Sequence, residues 1–220
     1  MEPFINTSFD GPQFDDILAV QRGYGDALEK NGGNDTSGNA TDLGTILAGQ
    51  TVFRGTDGID NRVAFSETDF VSIDDNSDTD VFSFTFGSGL GLDVLLTPRG
   101  PSYLSGVQNP DGSCSAGTLF DASSQSDLTL EILGTDGTTV VATANATGVG
   151  AAESISGLEL PAGTYFARVT GAANAAQMYE LGVTLNQVTG VTITESDGNT
   201  TVSESGRTDT YTLELNTVPT

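Results

Sequence analysis

The residues of this chain best suited to binding or catalysis are oxygen-bearing side chains that recur along one short stretch. Asp74, Asn76, Asp78 and Asp80 are spaced by two, and Asp75 stands beside them. Carboxylate and amide oxygens are hard ligands, which suit calcium rather than zinc. The stretch could therefore hold a divalent cation.

The spacing restricts how such an ion could be held. In a straight strand, side chains two residues apart lie about 6.5–7 Å from each other on one face. Calcium holds each oxygen at about 2.3–2.6 Å, so opposite ligands lie at most about 5 Å apart. The stretch must therefore curl, which sequences rich in Asp and Asn do readily. Glu67 and Asp69, a few residues upstream, could complete the shell of ligands.

The stretch is not an EF-hand, because Thr85 occupies the twelfth position where that loop requires Glu. Two interpretations of these acids stay open. Two carboxylates about 6 Å apart repel each other by about 0.7 kcal/mol in water and about 3 kcal/mol at an effective dielectric constant of 20. Such repulsion is tolerable if a calcium ion lies in the turn, or if the turn is fully hydrated and holds no ion.

The absence of histidine excludes most hydrolytic machinery. The 220 residues include 30 acids, 7 bases and no histidine, which gives a formal net charge of -23. Ser-His-Asp and Cys-His catalysis and histidine-ligated zinc are therefore excluded. Cys114 is the only cysteine, so no internal disulfide can form. We expect no enzymatic activity from this chain.

The same charge restricts the partners. Nucleic acid is excluded, because its phosphates would be repelled. No run approaches the roughly 18–20 apolar residues of a membrane-spanning helix. Met1 is followed by neither the basic nor the apolar run of a signal peptide. The negative charge could then serve to bind divalent cations, to suit the protein to a high-salt medium, or simply to keep it soluble.

The acidic stretch runs directly into a strand with an aromatic face. Phe82, Phe84 and Phe86 alternate with small or polar residues, which predicts that the three rings face a core. Similar alternation predicts further strands at 92–97, 127–133, 138–143, 163–170 and 177–185. Many short alternating strands without intervening helices predict a mainly β protein, an antiparallel, jelly-roll-like β-sandwich.

The whole chain divides by pattern into four segments. Residues 1–28 contain the one predicted helix, from residue 13, which we expect to dock on the sandwich or to fray. Residues 29–50 have the polar, glycine-rich composition of a linker. We expect residues 51–187 to form the sandwich, with a long surface loop between Gly100 and Asp121. Residues 188–220 read as the truncated start of a further β-sandwich repeat.

Three motifs in 51–187 resemble the bacterial pre-peptidase C-terminal domain, a β-sandwich appended to secreted peptidases. They are the D-x-D-V-F-x-F run that begins at Asp78, the L-P-A-G-T-Y run that begins at Leu160, and Y-E-L-G-V from Tyr179. The resemblance implies a non-catalytic accessory domain. Related collagen-binding modules carry calcium near this edge, so the resemblance also makes a calcium site relevant here.

The flanking segments carry looser resemblances. Met1 and Pro3 are similar to the Met-turn of a matrixin-like metzincin metallopeptidase, and the FDDILAVQRGYG run from Phe14 looks like its last helix. The zinc motif of such a peptidase would lie upstream, so zinc has no ligand in this chain. The last segment is similar to the opening strands of Calx-beta-like repeats, through Glu195-Ser196, Val202-Ser203-Glu204 and Thr210-Tyr211-Thr212-Leu213.

Together these resemblances imply the C-terminal segment of a secreted bacterial zinc metallopeptidase. Its sandwich would assist folding or secretion, or anchor the enzyme to its substrate or to a surface. The alternative is a calcium-stiffened structural or adhesive module of a cell-surface protein. In either case the expected partner is an extracellular protein or polysaccharide surface, and the expected location is outside the cell.

Overall fold

The computed structural model describes residues 11–29, 33–87, 90–113, 115–187, 191–195 and 210–215. Within these ranges the chain forms one helix and fourteen strands. In chain order they are α1 (Phe14–Tyr24), β1 (Thr41–Thr45), β2 (Thr51–Arg54), β3 (Ser72–Ile73), β4 (Thr79–Phe86), β5 (Leu90–Arg99), β6 (Ser102–Ser105), β7 (Thr118–Asp121), β8 (Leu128–Leu133), β9 (Val140–Ala144), β10 (Glu153–Glu159), β11 (Gly163–Gly171), β12 (Gln177–Gln187), β13 (Val191–Glu195) and β14 (Tyr211–Leu215). The prediction of a mainly β protein with one N-terminal helix is confirmed.

Ten of these strands form two sheets that pack face to face. The first sheet has the order β1-β4-β11-β8-β9, and the second has the order β10-β5-β12-β2, with β3 also pairing with β12. Neighbouring strands are antiparallel except β1 and β4, which run parallel. The two inner faces enclose one core of alternating apolar side chains, as expected for a β-sandwich.

The aromatic face predicted for residues 82–86 lies in this core. Phe82 and Phe84 have no solvent exposure and Phe86 retains 2%. The ring of Phe86 stacks on that of Tyr165 in β11, with centroids 5.2 Å apart. Aromatic stacking adds to the burial of apolar area, so β4 is a central stabilising strand. Its first residues carry the acids discussed below.

The range predicted as a linker contributes to the sandwich. Residues 41–45 form β1, which pairs in parallel with β4, and Ile46 follows with only 1% of its surface exposed. Earlier in this range, the N–H of Val81 donates to the carbonyl of Asn34 at 2.9 Å. A short edge strand needs backbone partners more than apolar side chains. Because the segment is polar, its composition resembles that of a linker and does not indicate the strand.

The region predicted as a long loop between Gly100 and Asp121 contains the hairpin β6–β7. Its inward-facing rings, Tyr103 and Phe120, lie 5.1 Å apart. They pack against a second apolar cluster that includes Phe14 and Leu18 of α1 and Met178 of β12. The helix is therefore docked on the sandwich rather than frayed.

The last described strands, β13 and β14, pair with each other as a separate two-stranded sheet. Tyr211, Leu213 and Leu215 share one face of β14 and are 63%, 56% and 61% exposed. Two strands alone cannot bury a core. No helix in the described part of the chain is long and apolar enough to cross a membrane.

Candidate metal centre

The acidic turn, residues 74–78, curls through its own hydrogen bonds. The carboxylate of Asp75 accepts from the N–H and the hydroxyl of Ser77, at 2.7 and 2.6 Å. The carboxylate of Asp78 accepts from the N–H of Asp74 at 2.7 Å. Such bonds to neighbouring backbone groups are typical of Asp in turns. Residues 74–78 therefore form a closed turn that ends directly before β4.

A third carboxylate joins those of Asp78 and Asp80 from a distant part of the chain. One oxygen from each of Glu29, Asp78 and Asp80 lies within 4.8 Å of the other two. These three residues are called the carboxylate cluster below. Glu29 belongs to the segment between α1 and β1, whereas Asp80 lies in β4. Oxygens at these separations can share one ion, so the carboxylate cluster could bind a metal.

Two oxygens of the carboxylate cluster are buried without a hydrogen-bond partner. Asp80 has no solvent exposure, and its Oδ2 accepts from the hydroxyl of Tyr179 at 2.5 Å. Among the described residues, its Oδ1 has no partner, and neither has Oε1 of Glu29. A buried polar atom without a partner is costly. Both oxygens are thus available to a ligand that the protein itself does not supply.

A fourth acid holds the segment that carries Glu29. Asp26 is 5% exposed, and its two oxygens accept from the N–H of Leu28 at 2.6 Å and from that of Ser72 at 2.9 Å. The second bond crosses from the segment after α1 to strand β3. Asp26 therefore positions Glu29 opposite the acidic turn while its own oxygens are occupied.

The electrostatics of the carboxylate cluster disfavour its ionised form. Burial raises the pKa of Glu29 to about 7, and the charge of Asp78 adds to the effect. Burial likewise raises the pKa of Asp78 to about 6. The pKa of Asp80 lies well above its usual range, because of burial first and the nearby Asp26 second. A cation in the carboxylate cluster would reverse these shifts, since it favours the charged forms.

A basic side chain contacts the outer side of the acidic turn. Arg22 in α1 donates to the carbonyl oxygen of Asp74 at 3.0 Å, and its guanidinium lies 3.8 Å from the carboxylate of Asp75. Its charge opposes the rise in the pKa of Asp74 that burial and Asp75 cause. Arg22 therefore balances the outer acids rather than the buried ones.

Of the six predicted ligands, the structure brings Asp78 and Asp80 together. Asp74 contacts Asp78 through its backbone, and Asn76 is exposed at the tip of the turn.

The other two predicted ligands, Glu67 and Asp69, lie in a separate loop. Glu67 accepts the N–H of Ala64, and Asp69 accepts the N–H of Gly55 at 3.0 Å. The Met-turn-like residues Met1 and Pro3 lie outside the described residues.

Sequence reasoning missed Glu29 and Asp26. Both lie in a polar stretch without strand or helix periodicity, so no local pattern marks them as ligands. The sequence feature that could have indicated them is the recurrence of acids after the helix, at residues 26, 29 and 35. Their proximity to Asp80 depends on how this segment crosses β4, which is a property of the tertiary structure.

One open pocket, about 490 Å³ in volume, lies between the end of β9 and the start of β10. Its buried acid, Glu153, accepts hydrogen bonds from the N–H groups of Ala146 and Thr147, at 3.2 and 2.8 Å. These bonds help to lower the pKa of Glu153. The carboxylate thus supports the loop beside it and is not available as a general acid.

The chain is similar in structure to the pre-peptidase C-terminal domain of collagenase from Bacillus anthracis. The sequence identity is 18% and the TM-score 0.35, over 66% of this chain and 93% of that chain. It is also similar to PliG, a periplasmic inhibitor of g-type lysozyme from Aeromonas hydrophila. There the identity is 9% and the TM-score 0.36, over 67% of this chain and 97% of that chain.

No protein-family model matches the chain, and no curated protein matches it in sequence. The matrixin-like and Calx-beta-like resemblances receive no support from these matches. At such TM-scores the similarity transfers no activity and no residue role to this chain.

Proposed function

We propose that this chain is a non-catalytic β-sandwich module whose carboxylate cluster binds calcium. The ion would fasten the segment that carries Glu29 to the start of β4. The observation that carries the proposal is the burial of Asp80 together with the missing hydrogen-bond partner of its Oδ1 in the described part of the chain. This residue has no solvent exposure, and its Oδ1 lacks a partner among the described residues although it belongs to a group of three converging carboxylates.

The donor set favours calcium over other divalent ions. All three donors are carboxylates, whereas structural zinc sites usually contain cysteine or histidine. Magnesium requires a near-ideal octahedron at about 2.0–2.1 Å and keeps several waters. Calcium accepts irregular sets of oxygens at about 2.3–2.6 Å. Ligands contributed by two separate segments form an irregular set, which calcium tolerates better than magnesium does.

The magnitude of the repulsion argues against a carboxylate cluster that is ionised and stabilised by hydration alone. At 4.8 Å two ionised carboxylates repel each other by about 3.5 kcal/mol at an effective dielectric constant of 20. Water can relieve this for Asp75, which lies on the outside of the turn. It cannot do so for the fully buried Asp80. A divalent ion would neutralise two of the three charges where the repulsion is greatest.

Thermal unfolding of the whole chain with and without calcium tests this proposal. Calcium at 100 times its dissociation constant should stabilise the fold by about 2.7 kcal/mol. In a protein of this size that corresponds to about 5–10 °C in Tm. The substitutions Asp80→Asn and Glu29→Gln should each abolish most of the shift.

The matched control is Asp111→Asn, which removes one carboxylate from an exposed turn where it bonds to Ser113. This variant should keep the full calcium response. An unchanged Tm of the wild type in millimolar calcium would contradict the proposal. So would an equal response from the Asp80 variant.

We further propose that the module is an accessory part of a secreted bacterial zinc metallopeptidase of the matrixin-like kind. Its role would be folding, secretion or anchoring to a protein or polysaccharide surface. Anchoring raises the local concentration of substrate without any chemistry in the module. The support is the helix-forming run from Phe14 to Tyr24, which carries the resemblance. Zinc would be bound only by the catalytic domain of that peptidase.

The second candidate is a calcium-stiffened structural or adhesive module at the cell surface. The exposed apolar face of β14 supports it, because this face needs a further layer of strands to cover it. The coding sequence upstream of Met1 discriminates between the two. An encoded H-E-x-x-H-x-x-G-x-x-H motif supports the peptidase, and a series of β-sandwich repeats supports the adhesive module.

A further inference from the structure

We infer that Arg22 is a positioning residue for the calcium site, and that the docking of helix α1 and the binding of the ion stabilise each other. The inference rests on the calcium site proposed above and assigns it a regulatory connection. The evidence is a continuous series of contacts from the last turn of the helix to the carboxylate cluster.

The guanidinium of Arg22 joins three parts of the fold. One terminal nitrogen donates to the carbonyl oxygen of Asp74 at 3.0 Å, and the other donates to Oδ1 of Asn174 at 2.5 Å. Asn174 lies in the loop between β11 and β12. A planar guanidinium has donors in a fixed geometry, so it holds both acceptors at a defined separation. The last turn of α1 is thereby fixed to the acidic turn.

The acidic turn transmits this restraint to a ligand. The same residue whose carbonyl Arg22 holds, Asp74, donates its N–H to Asp78 at 2.7 Å. Asp78 is one of the three residues of the carboxylate cluster. Displacing the backbone of Asp74 would therefore move or release the carboxylate of Asp78. Arg22 contacts none of the three cluster oxygens itself, so its effect on the ion acts through Asp74 and Asp78.

The charge and the position of Arg22 have opposite effects on calcium affinity. A positive charge near the site repels calcium, so its removal alone would tighten binding. That charge is screened, because 41% of the Arg22 side chain is exposed. Loss of the bond to Asp74 would weaken binding, because a ligand is no longer held in place. The sign of the change therefore reveals which effect dominates.

Thermodynamic linkage makes the coupling reciprocal. If the Arg22 contact strengthens calcium binding by a given factor, calcium must strengthen that contact by the same factor. A residue that only stabilised the fold would not produce this equality. The coupling thus has two independent measurements, one at the ion and one at the helix.

Calorimetric titration of calcium into the whole chain measures the first factor. The variant Arg22→Gln should bind calcium about fivefold or more weakly, the usual lower range for coupled sites. Arg22→Lys keeps the charge but lacks the planar guanidinium that fixes the separation of both acceptors, and should also bind more weakly than the wild type. The matched control Arg54→Gln removes one charge from a guanidinium whose one hydrogen bond among the described residues goes to the carbonyl of Phe53. It should bind calcium as tightly as the wild type.

Hydrogen exchange of the α1 amides measures the second factor. Calcium should slow their exchange in the wild type, and this slowing should be smaller in Arg22→Gln at calcium concentrations that saturate both proteins. Unchanged or tighter calcium binding by Arg22→Gln would overturn the inference and leave the calcium site in place. Absence of calcium binding by the wild type would overturn the site and the inference together.

Discussion

The hydroxyl of Tyr179 determines which oxygen of Asp80 is available to an ion. Tyr179 is 1% exposed and donates to Oδ2 at 2.5 Å, which leaves Oδ1 without a partner in the described residues. The bond also fixes the orientation of the carboxylate. Loss of a group that orients a metal ligand from behind typically costs about 10–100-fold in metal affinity. Tyr179 therefore connects the apolar core to the candidate metal centre.

The variant Tyr179→Phe tests this role. Without the hydroxyl, Oδ2 of Asp80 becomes a second buried acceptor without a partner, which should destabilise the calcium-free protein by about 1–3 kcal/mol. Calcium affinity should fall about tenfold or more, because Asp80 is free to reorient. Denaturation in urea and calorimetric titration measure the two effects.

Tyr165→Phe is the matched control for this variant. It removes the same group from a ring in the same core, where the hydroxyl donates to the carbonyl of Pro161 at 3.0 Å. Its calcium affinity should equal that of the wild type. Equal affinities for Tyr179→Phe and the wild type would show that the bond to Asp80 plays no part in the site.

At the scale of elements, the segment between α1 and β2 does more than connect them. Asp26 bonds to β3, Asn34 pairs with Val81, and β1 extends the first sheet at the edge of β4. Glu29 lies within this same segment. The elements that complete the sandwich therefore also deliver a ligand to the carboxylate cluster.

A pair of neighbouring residues tests whether this segment belongs to the folding unit. Ile46, which is 1% exposed, lies in the main core, whereas the adjacent Leu47 is 59% exposed. Ile46→Ala should lower the free energy of unfolding by about 2–5 kcal/mol, through lost burial and the cavity that remains. Leu47→Ala should change it by less than about 0.5 kcal/mol. Urea denaturation measures both, and equal effects would contradict the fold at this edge.

At the scale of the whole molecule, the charge of -23 is distributed unevenly. Several exposed acids bond to neighbouring backbone and hydroxyl groups, and these bonds lower the pKa of Asp111 and Asp121. The buried acids near β4 have raised pKa values instead. The two groups therefore contribute to stability with opposite dependence on pH.

The pH dependence of stability follows from the buried group. The pKa values of Glu29 and Asp78 are about 7 and about 6, whereas unfolded carboxyl groups titrate near about 4. Between these values the folded, calcium-free protein binds more protons than the unfolded one. Its stability should therefore fall as the pH rises from about 4 to about 7. Calcium requires the ionised carboxylates, so its stabilising effect should grow over the same range.

Thermal unfolding at pH 5, 6, 7 and 8, with and without calcium, measures this dependence. Glu29→Gln cannot ionise at that position, so the fall in Tm without calcium should be smaller in this variant. A calcium-free Tm that rises between pH 5 and pH 7 would contradict the assignment.

The acidic turn and the strand behind it were accessible to local reasoning. The period of two in residues 81–86 predicts one buried face, because successive side chains in a strand point to opposite sides. The buried Phe82, Phe84 and Phe86 agree with it. The need for the acidic stretch to curl followed from ligand distances alone. Strands with weak alternation, such as β6 and β10, were not predicted because their side chains lie partly in solvent.

The sequence by itself determined the class of fold, the aromatic core of β4 and the exclusion of histidine chemistry, because each depends on composition or on neighbours along the chain. Only the tertiary structure determined that Glu29 lies beside Asp78 and Asp80, that the segment around β1 completes a sheet, and that Arg22 holds the acidic turn. The physical reason is that these contacts join residues far apart in sequence. Hydrogen bonds and burial across the fold select them, and no local periodicity records which partners will meet.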